Sequence, residues 1–253
     1  MKYFIASDVH SFFDEYMFSL KEQGFDMFSQ EHKVILLGDN FDRGPKPREM
    51  ENFIMKLLEK DKAILTLGNH EELALDLINN YHKYVFKTDT HHHLNGTFQT
   101  LCALGEMDVG SARDILPYFK MKAKSTHYIK DIIPSMVDYY ETDKYVFTHA
   151  WIPLSDKNKY DPNWRVASKE RWERARWIKP LDAYSRKLYP NDKCIVCGHQ
   201  SCSAFWEKEN PNKYALSGKR ARFDPYIIKK HVIALDGHTV ESGVVNVLVL
   251  EDN

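Results

Sequence analysis

Three stretches of this chain share one design, a short apolar run that stops at a tight turn of polar, chemically active residues. Val34-Ile35-Leu36-Leu37 runs into Gly38-Asp39-Asn40-Phe41-Asp42-Arg43-Gly44. Tyr3-Phe4-Ile5-Ala6 runs into Asp8-Val9-His10, and Ala63-Ile64-Leu65-Thr66-Leu67 runs into Gly68-Asn69-His70-Glu71. Runs this short and this apolar read as buried strands, and the glycines flanking the central turn let the backbone reverse sharply. Between the strands lie amphipathic helical patterns. Phe12, Phe13, Tyr16, Met17 and Leu20 mark one over 12–23, with Gly24 as its stop. Met50, Phe53, Ile54, Leu57 and Leu58 mark the next, and Leu73, Leu77 and Ile78 a third. Strand alternating with helix predicts a largely parallel sheet, whose ligands collect at the C-terminal ends of the strands, where all three turns lie.

Residues 79–140 lose this rhythm and read as a largely helical insertion over one edge of the site, with helices expected over 114–119 and 128–140. His91-His92-His93 within it reads as a solvated loop, because three adjacent side chains cannot converge on one ion along a regular backbone. Strands resume at Lys144-Tyr145-Val146-Phe147 and Cys194-Ile195-Val196-Cys197, each followed by a histidine, His149 and His199. Between them, 155–190 is aromatic and basic and reads as a helix packed by tryptophans, with one arginine reaching the site. The close runs His231 to Leu235 and Val244 to Leu250 suggest an antiparallel hairpin.

With 43% hydrophobic and 28% charged residues among 253, the chain is ordinary globular protein. A net charge of -1 argues against a general polyanion surface and against a duplex nucleic acid as partner. No apolar run approaches the roughly 18 residues of a membrane span, and the N-terminus enters a strand directly, so no membrane partner and a cytoplasmic location are expected. Cys194 and Cys197 have redox or zinc spacing, but i and i+3 on a strand face opposite ways, which predicts buried, reduced thiols.

The strand-end residues Asp8, His10, Asp39, Asn69, His149 and His199 form a mixed nitrogen and oxygen donor set. That set suits Mn, Fe, Co or Zn better than Mg or Ca. It exceeds one tetrahedral site and fits two ions sharing Asp39. Two metals about 3.5–4 Å apart can activate water and neutralise an anionic substrate. Attack on phosphorus further needs charge on the equatorial oxygens and an acid for the leaving oxygen. Arg43 offers the first as a planar fork; His70 offers the second if Asp42 keeps it protonated.

Asp8-x-His10, Gly38-Asp39-x-x-Asp42-Arg43-Gly44, Gly68-Asn69-His70-Glu71, His149 and His199, in that order, resemble the PPP-type phosphatases of the calcineurin-like metallophosphoesterase superfamily. The resemblance implies one α/β domain over 1–253, a four-layer α/β/β/α sandwich of two mixed sheets. It implies one ion bound by Asp8, His10 and Asp39 and another by Asp39, Asn69, His149 and His199, manganese being the expected metal. Arg43 would bind phosphate, Asn69 would face both metal and substrate, and His70 paired with Asp42 would be the acid. A second phosphate-binding arginine is expected between the last two histidines, with Arg176 and Arg174 as candidates. Ser7 and Ser11 stand where the family usually has glycine. Trp151 follows the His149 motif and is expected to narrow the pocket; His238 is a further residue that can approach the site. The expected activity is that of a phosphomonoesterase, of the phosphoserine/phosphothreonine protein phosphatase type. A dinucleoside tetraphosphate hydrolase is the alternative, and a small-molecule phosphoesterase the next. The partner is accordingly a phosphorylated protein or a nucleotide.

Overall fold

A computed structural model describes residues 1–84, 87, 89–108, 115, 117–228 and 230–251. Its strands are β1 (Lys2–Ala6), β2 (His32–Leu36), β3 (Ala63–Leu65), β4 (Tyr140–Glu141), β5 (Tyr145–Phe147), β6 (Cys194–Cys197), β7 (Tyr226–Ile228), β8 (Val232–Ala234) and β9 (Leu248–Glu251). They form two sheets, ordered β3-β2-β1-β9 and β4-β5-β6-β8-β7. In the first, β1, β2 and β3 run parallel, and β9 closes the open edge of β1 antiparallel. In the second, β5, β6 and β8 run parallel between the antiparallel edges β4 and β7.

Side-chain alternation along the strands builds the layers. Tyr3, Ile5, Ile35 and Leu37 meet Phe147, Cys194, Val196 and Ile233 in a core between the sheets. The intervening residues point outward: Phe4, Ala6, Val34 and Leu36 toward one group of helices, and Val146, Ile195, Cys197 and Val232 toward another. The result is the expected four-layer sandwich, with the central strands of both sheets buried on both faces. Cys194 and Cys197 fall on opposite sides of their sheet, and burial raises both thiol pKa values, Cys194 to about 12.

Helices α1 (Phe13–Glu22) and α2 (Pro47–Glu59) match the expected periodicity. Proline opens α2, where its fixed φ suits the first turn and its missing N–H costs nothing. Met50, Phe53, Ile54 and Leu57 of α2 are buried at i, i+3, i+4 and i+7. Helix α3 (Asn69–Tyr84) begins directly on the third turn.

The described residues of 79–140 include the end of α3, α4 (His91–Leu94), α5 (Thr97–Leu104), a helix at Phe119–Ser125 and a wide turn at Tyr128–Ile132. Phe98, Leu101, Phe119 and Tyr128 join the same core as Phe4 and Met50. The helix expected over 114–119 falls partly on positions 114 and 116, outside the described residues. The one expected over 128–140 ends at Ser135, and Tyr140 instead pairs with Phe147 as strand β4.

Two expectations need correction. The histidine triplet is the first turn of α4, and His92 is buried with its Nε2 3.0 Å from Asp76, because the helix turns that imidazole inward. The tail is no hairpin: β8 lies in one sheet and β9 in the other. The turn near Ser242-Gly243 ends a short helix, Thr239–Ser242, with Gly243 at φ +68 as its left-handed stop. That helix carries the chain across to the free edge of β1.

Candidate active site

The C-terminal ends of the two sheets meet, and the polar turns gather there. His149 follows β5, yet its Nδ1–H donates to the carbonyl of Leu37, past the end of β2, at 2.7 Å. The turns are bent hard. Asp8, His10, Asp39, Asp42, Arg43 and His199 all have left-handed φ between +50° and +73°. Non-glycine residues seldom adopt this region, each at a cost of about 1–3 kcal/mol, and such strain concentrates where function requires a particular aim.

Asp39 is the hub. Its carboxylate lies in one cluster with His10 and His70 and in another with His149 and His199, the potential ligand atoms of each cluster within 4.8 Å of one another. Asn69 Oδ1 and His199 Nδ1 lie 2.9 and 3.2 Å from His149 Nε2. Asp8 is tied in through the backbone N–H of His199, which donates to Asp8 Oδ2 at 2.8 Å, and through the hydroxyl of Ser7. All six expected ligands are therefore brought to one place.

The imidazole tautomers suit metal binding. His10 Nδ1 donates to the carbonyl of Phe41 at 2.8 Å, as His149 Nδ1 does to Leu37. A carbonyl only accepts, so each Nε2 carries a lone pair aimed inward. Burial, with neighbouring positive groups, holds His10 well below the ordinary histidine pKa; burial likewise brings His149 down to about 4. Neutral imidazoles and buried carboxylates are the donor chemistry of a divalent cation. Asp8 makes the same point: burial first, then the Asp236 and Asp39 carboxylates, push its pKa well up, a conflict that a bound cation relieves. The residues fit two ions sharing Asp39.

Glu71, which closes the third turn, has a role that its motif alone does not reveal. Fully buried, it accepts N–H bonds from Asp39 (3.0 Å), Asn40 (3.2 Å) and Gly68 (2.8 Å), which clamps the second turn to the third. The clamp leaves no room at Gly68, where an added Cβ would fall 2.2 Å from Asp39 Oδ1 and 2.5 Å from Asp39 N. Gly68→Ala is expected to push Asp39 out of place. A misplacement of about 1 Å in such a site costs on the order of 10²-fold in rate, so kcat/KM should fall at least that far, with weaker metal retention in an equilibrium dialysis assay.

His70 lies beside Asn69 but has different surroundings. Its Nδ1 donates to Asp42 Oδ2 at 2.7 Å, and Asp39 Oδ2 is 3.7 Å from its Nε2. Burial opposes protonation, but Asp39 and Asp42 outweigh it and raise the His70 pKa. Burial lowers His10 and the two carboxylates raise His70, so the two imidazoles that share one cluster with Asp39 are driven apart, one held neutral and one holding a proton more readily. Arg43 is exposed and forks between His10 Nε2 (3.0 Å), His70 Nε2 (3.1 Å) and Asn95 Oδ1 (3.0 Å).

Residues 1–241 match the calcineurin-like phosphoesterase family. The chain belongs to that family. Similar curated proteins include the asymmetrical bis(5'-nucleosyl)-tetraphosphatases PrpE of Bacillus velezensis and Bacillus subtilis, 25% and 27% identical over 166 residues. Each match takes in 63% of this chain and 60% or 62% of the relative, so the chain spans about three-fifths of the length of these relatives. Among solved structures, the cold-active protein-tyrosine phosphatase of a psychrophilic Shewanella superposes with a TM-score of 0.55 at 17% identity, over 100% of this chain and 76% of that one. At that identity the likeness speaks for the fold alone.

Other expectations for this phosphoesterase meet a different geometry. Arg176 is buried, and its guanidinium is held by Glu72 at 2.6 Å and Asp138 at 2.7 Å. Arg174 is mostly exposed, 3.8 Å from Asp156. Neither guanidinium is directed at the ligand cluster by these contacts, and two carboxylates already neutralise Arg176. Trp151 does not narrow the pocket: it is fully buried, with Nε1–H donating to Leu188 at 2.7 Å. The indole at the site is that of Trp177, half exposed and edge-on to His199 at 6.2 Å between ring centres. His238, at φ +49, lines a cavity of about 780 Å³ together with Arg43, Asn95, Gln99 and Val240. No helix among the described residues is long and apolar enough to cross a membrane.

Proposed function

We propose that the chain is a metal-activated phosphomonoesterase for substrates with strongly basic leaving oxygens, as in phosphoserine and phosphothreonine. The observation that carries this reading is the buried His70–Asp42 pair beside the solvent-facing Arg43. An alkoxide leaves only if it is protonated, so an acid held in place is worth about 10²–10⁴-fold for such esters. It matters far less for a polyphosphate leaving group, which departs as a weak base.

In this reading Asp8, His10 and Asp39 would hold one ion, and Asp39, Asn69, His149 and His199 the other, with manganese as the expected metal. Ions held there activate water and offset the charge of the phosphate. Arg43 turns its fork from the imidazoles to the phosphate oxygens, whose bidentate geometry it matches. Asn69 adds an amide from the start of α3. His70, held protonated by the charge of Asp42 and Asp39, delivers its proton to the leaving oxygen and takes a new one from solvent.

A second reading is hydrolysis of a dinucleoside tetraphosphate. The activity in the names of the relatives favours it, and so does Trp177, whose exposed indole offers a stacking face beside His199, worth about 1–3 kcal/mol for a nucleobase. One experiment separates the readings. Manganese-loaded protein is offered a phosphoserine peptide and diadenosine tetraphosphate in parallel, with a chelated control. Chelator-sensitive phosphate from the peptide is the expected result. Nucleotide release from the dinucleotide alone selects the second reading, and turnover of neither moves the search to small phosphate esters.

A further inference from the structure

The turn Asn95-Gly96-Thr97, between α4 and α5, rests directly on the Asp42-Arg43 backbone. An added Cβ at Gly96 would lie 2.7 Å from Arg43 N, and Gly96 itself is at φ +84, so only glycine allows the approach. On one side of Gly96, Asn95 Oδ1 accepts from Arg43 at 3.0 Å. On the other, the fully buried Thr97 hydroxyl donates to Asp42 Oδ2 at 2.6 Å.

That oxygen is the one that also receives His70 Nδ1–H, at 2.7 Å. The other carboxylate oxygen, Oδ1, is buried and has no hydrogen-bond partner among the described residues. A carboxylate held by a single donor rotates about its Cβ–Cγ bond at little cost. Two donors converging on Oδ2 fix which oxygen faces the imidazole, and hence the plane of the ring. Thr97 is well anchored for this task. It opens α5, whose Phe98 and Leu101 sit in the main core, with Phe98 stacked on Tyr81 and Phe119.

We propose that Thr97 is a positioning residue for the Asp42–His70 pair, and that Asn95 does the same for Arg43. The helical segment thereby completes the catalytic geometry. The proposal rests on the reading of His70 as the acid. It predicts that Thr97→Val, which keeps the shape and removes the hydroxyl, lowers kcat on alkyl phosphates about tenfold with KM nearly unchanged. An aryl phosphate with an acidic phenol as leaving group should be turned over at the wild-type rate, and Thr97→Ser should restore the alkyl activity.

A second readout needs no substrate. In zinc-loaded protein the hydrogen-bonded His70 Nδ1 proton should give a far-downfield NMR signal that Thr97→Val shifts or broadens and Thr97→Ser retains. A Thr97→Val protein with wild-type alkyl turnover and an unchanged signal overturns the proposal. So does an equal loss on alkyl and aryl substrates, which marks a structural role alone. A wild-type protein inactive on both phosphates defeats the phosphomonoesterase reading instead, and the NMR comparison still decides whether Thr97 orients the pair.

Discussion

Asp39→Asn is expected to strip the site of bound metal and of activity together. The substitution is nearly isosteric, and the amide oxygen still accepts the His70 backbone N–H that Asp39 Oδ1 takes at 3.0 Å. What it removes is the charge at the point where two ligand clusters overlap. Burial would raise the Asp39 pKa, but the imidazoles around it and the His70 backbone N–H outweigh burial and lower it. With an amide there, the shared anionic ligand is gone and both cation sites weaken. The loss in kcat/KM should be at least about 10²–10³-fold, the cost of deleting one electrostatic partner of a transition state. Metal content measured by mass spectrometry after gel filtration should fall in step. A variant that keeps two tightly bound ions would remove Asp39 from the role of bridge.

His70→Asn should have the opposite pattern, leaving metal content intact and selecting between substrates. Without the acid, turnover of alkyl phosphates is expected to drop about 10²–10⁴-fold, while an aryl phosphate with a good leaving group loses little. The pH profile gives an independent check. As the acid, His70 would act in its protonated form, and Asp39 and Asp42 raise its pKa above the ordinary value against the effect of burial. Activity on alkyl phosphates is therefore present below that raised pKa and falls as pH rises through it. The variant should lack this alkaline fall. Equal rates for variant and wild type on alkyl phosphates would take His70 out of the mechanism.

These experiments begin from residues that are legible in the sequence because the fold writes them locally. A buried strand must be apolar, the turn that ends it must bend sharply, and rigid turns at strand ends are where ligands can be held. Asp8, Asp39, Asn69, His149 and His199 can therefore each be picked out next to a short apolar run. The alternation of strand and helix also makes a largely parallel sheet readable, whereas the four-layer sandwich is implied only by the resemblance to the family. The segment 155–190 was half legible: Trp164 and Trp172 pack as expected, but no spacing reveals that Arg176 is claimed by Glu72 and Asp138, or that Trp177 rather than Trp151 reaches the site.

From sequence alone, then, come the strand-turn-helix units, the donor set and its class of chemistry, because each depends on neighbours within a few residues. Pairings across long separations were decided only by the tertiary structure. The carboxylate of Glu71 stitches two turns, Thr97 reaches Asp42 from another helix, and β9 leaves β8 to close the edge of β1. Local patterns determine which face of an element is apolar and where the backbone can bend. Which free edge a strand finds, and which buried acceptor a hydroxyl satisfies, depends on what the rest of the chain has already filled.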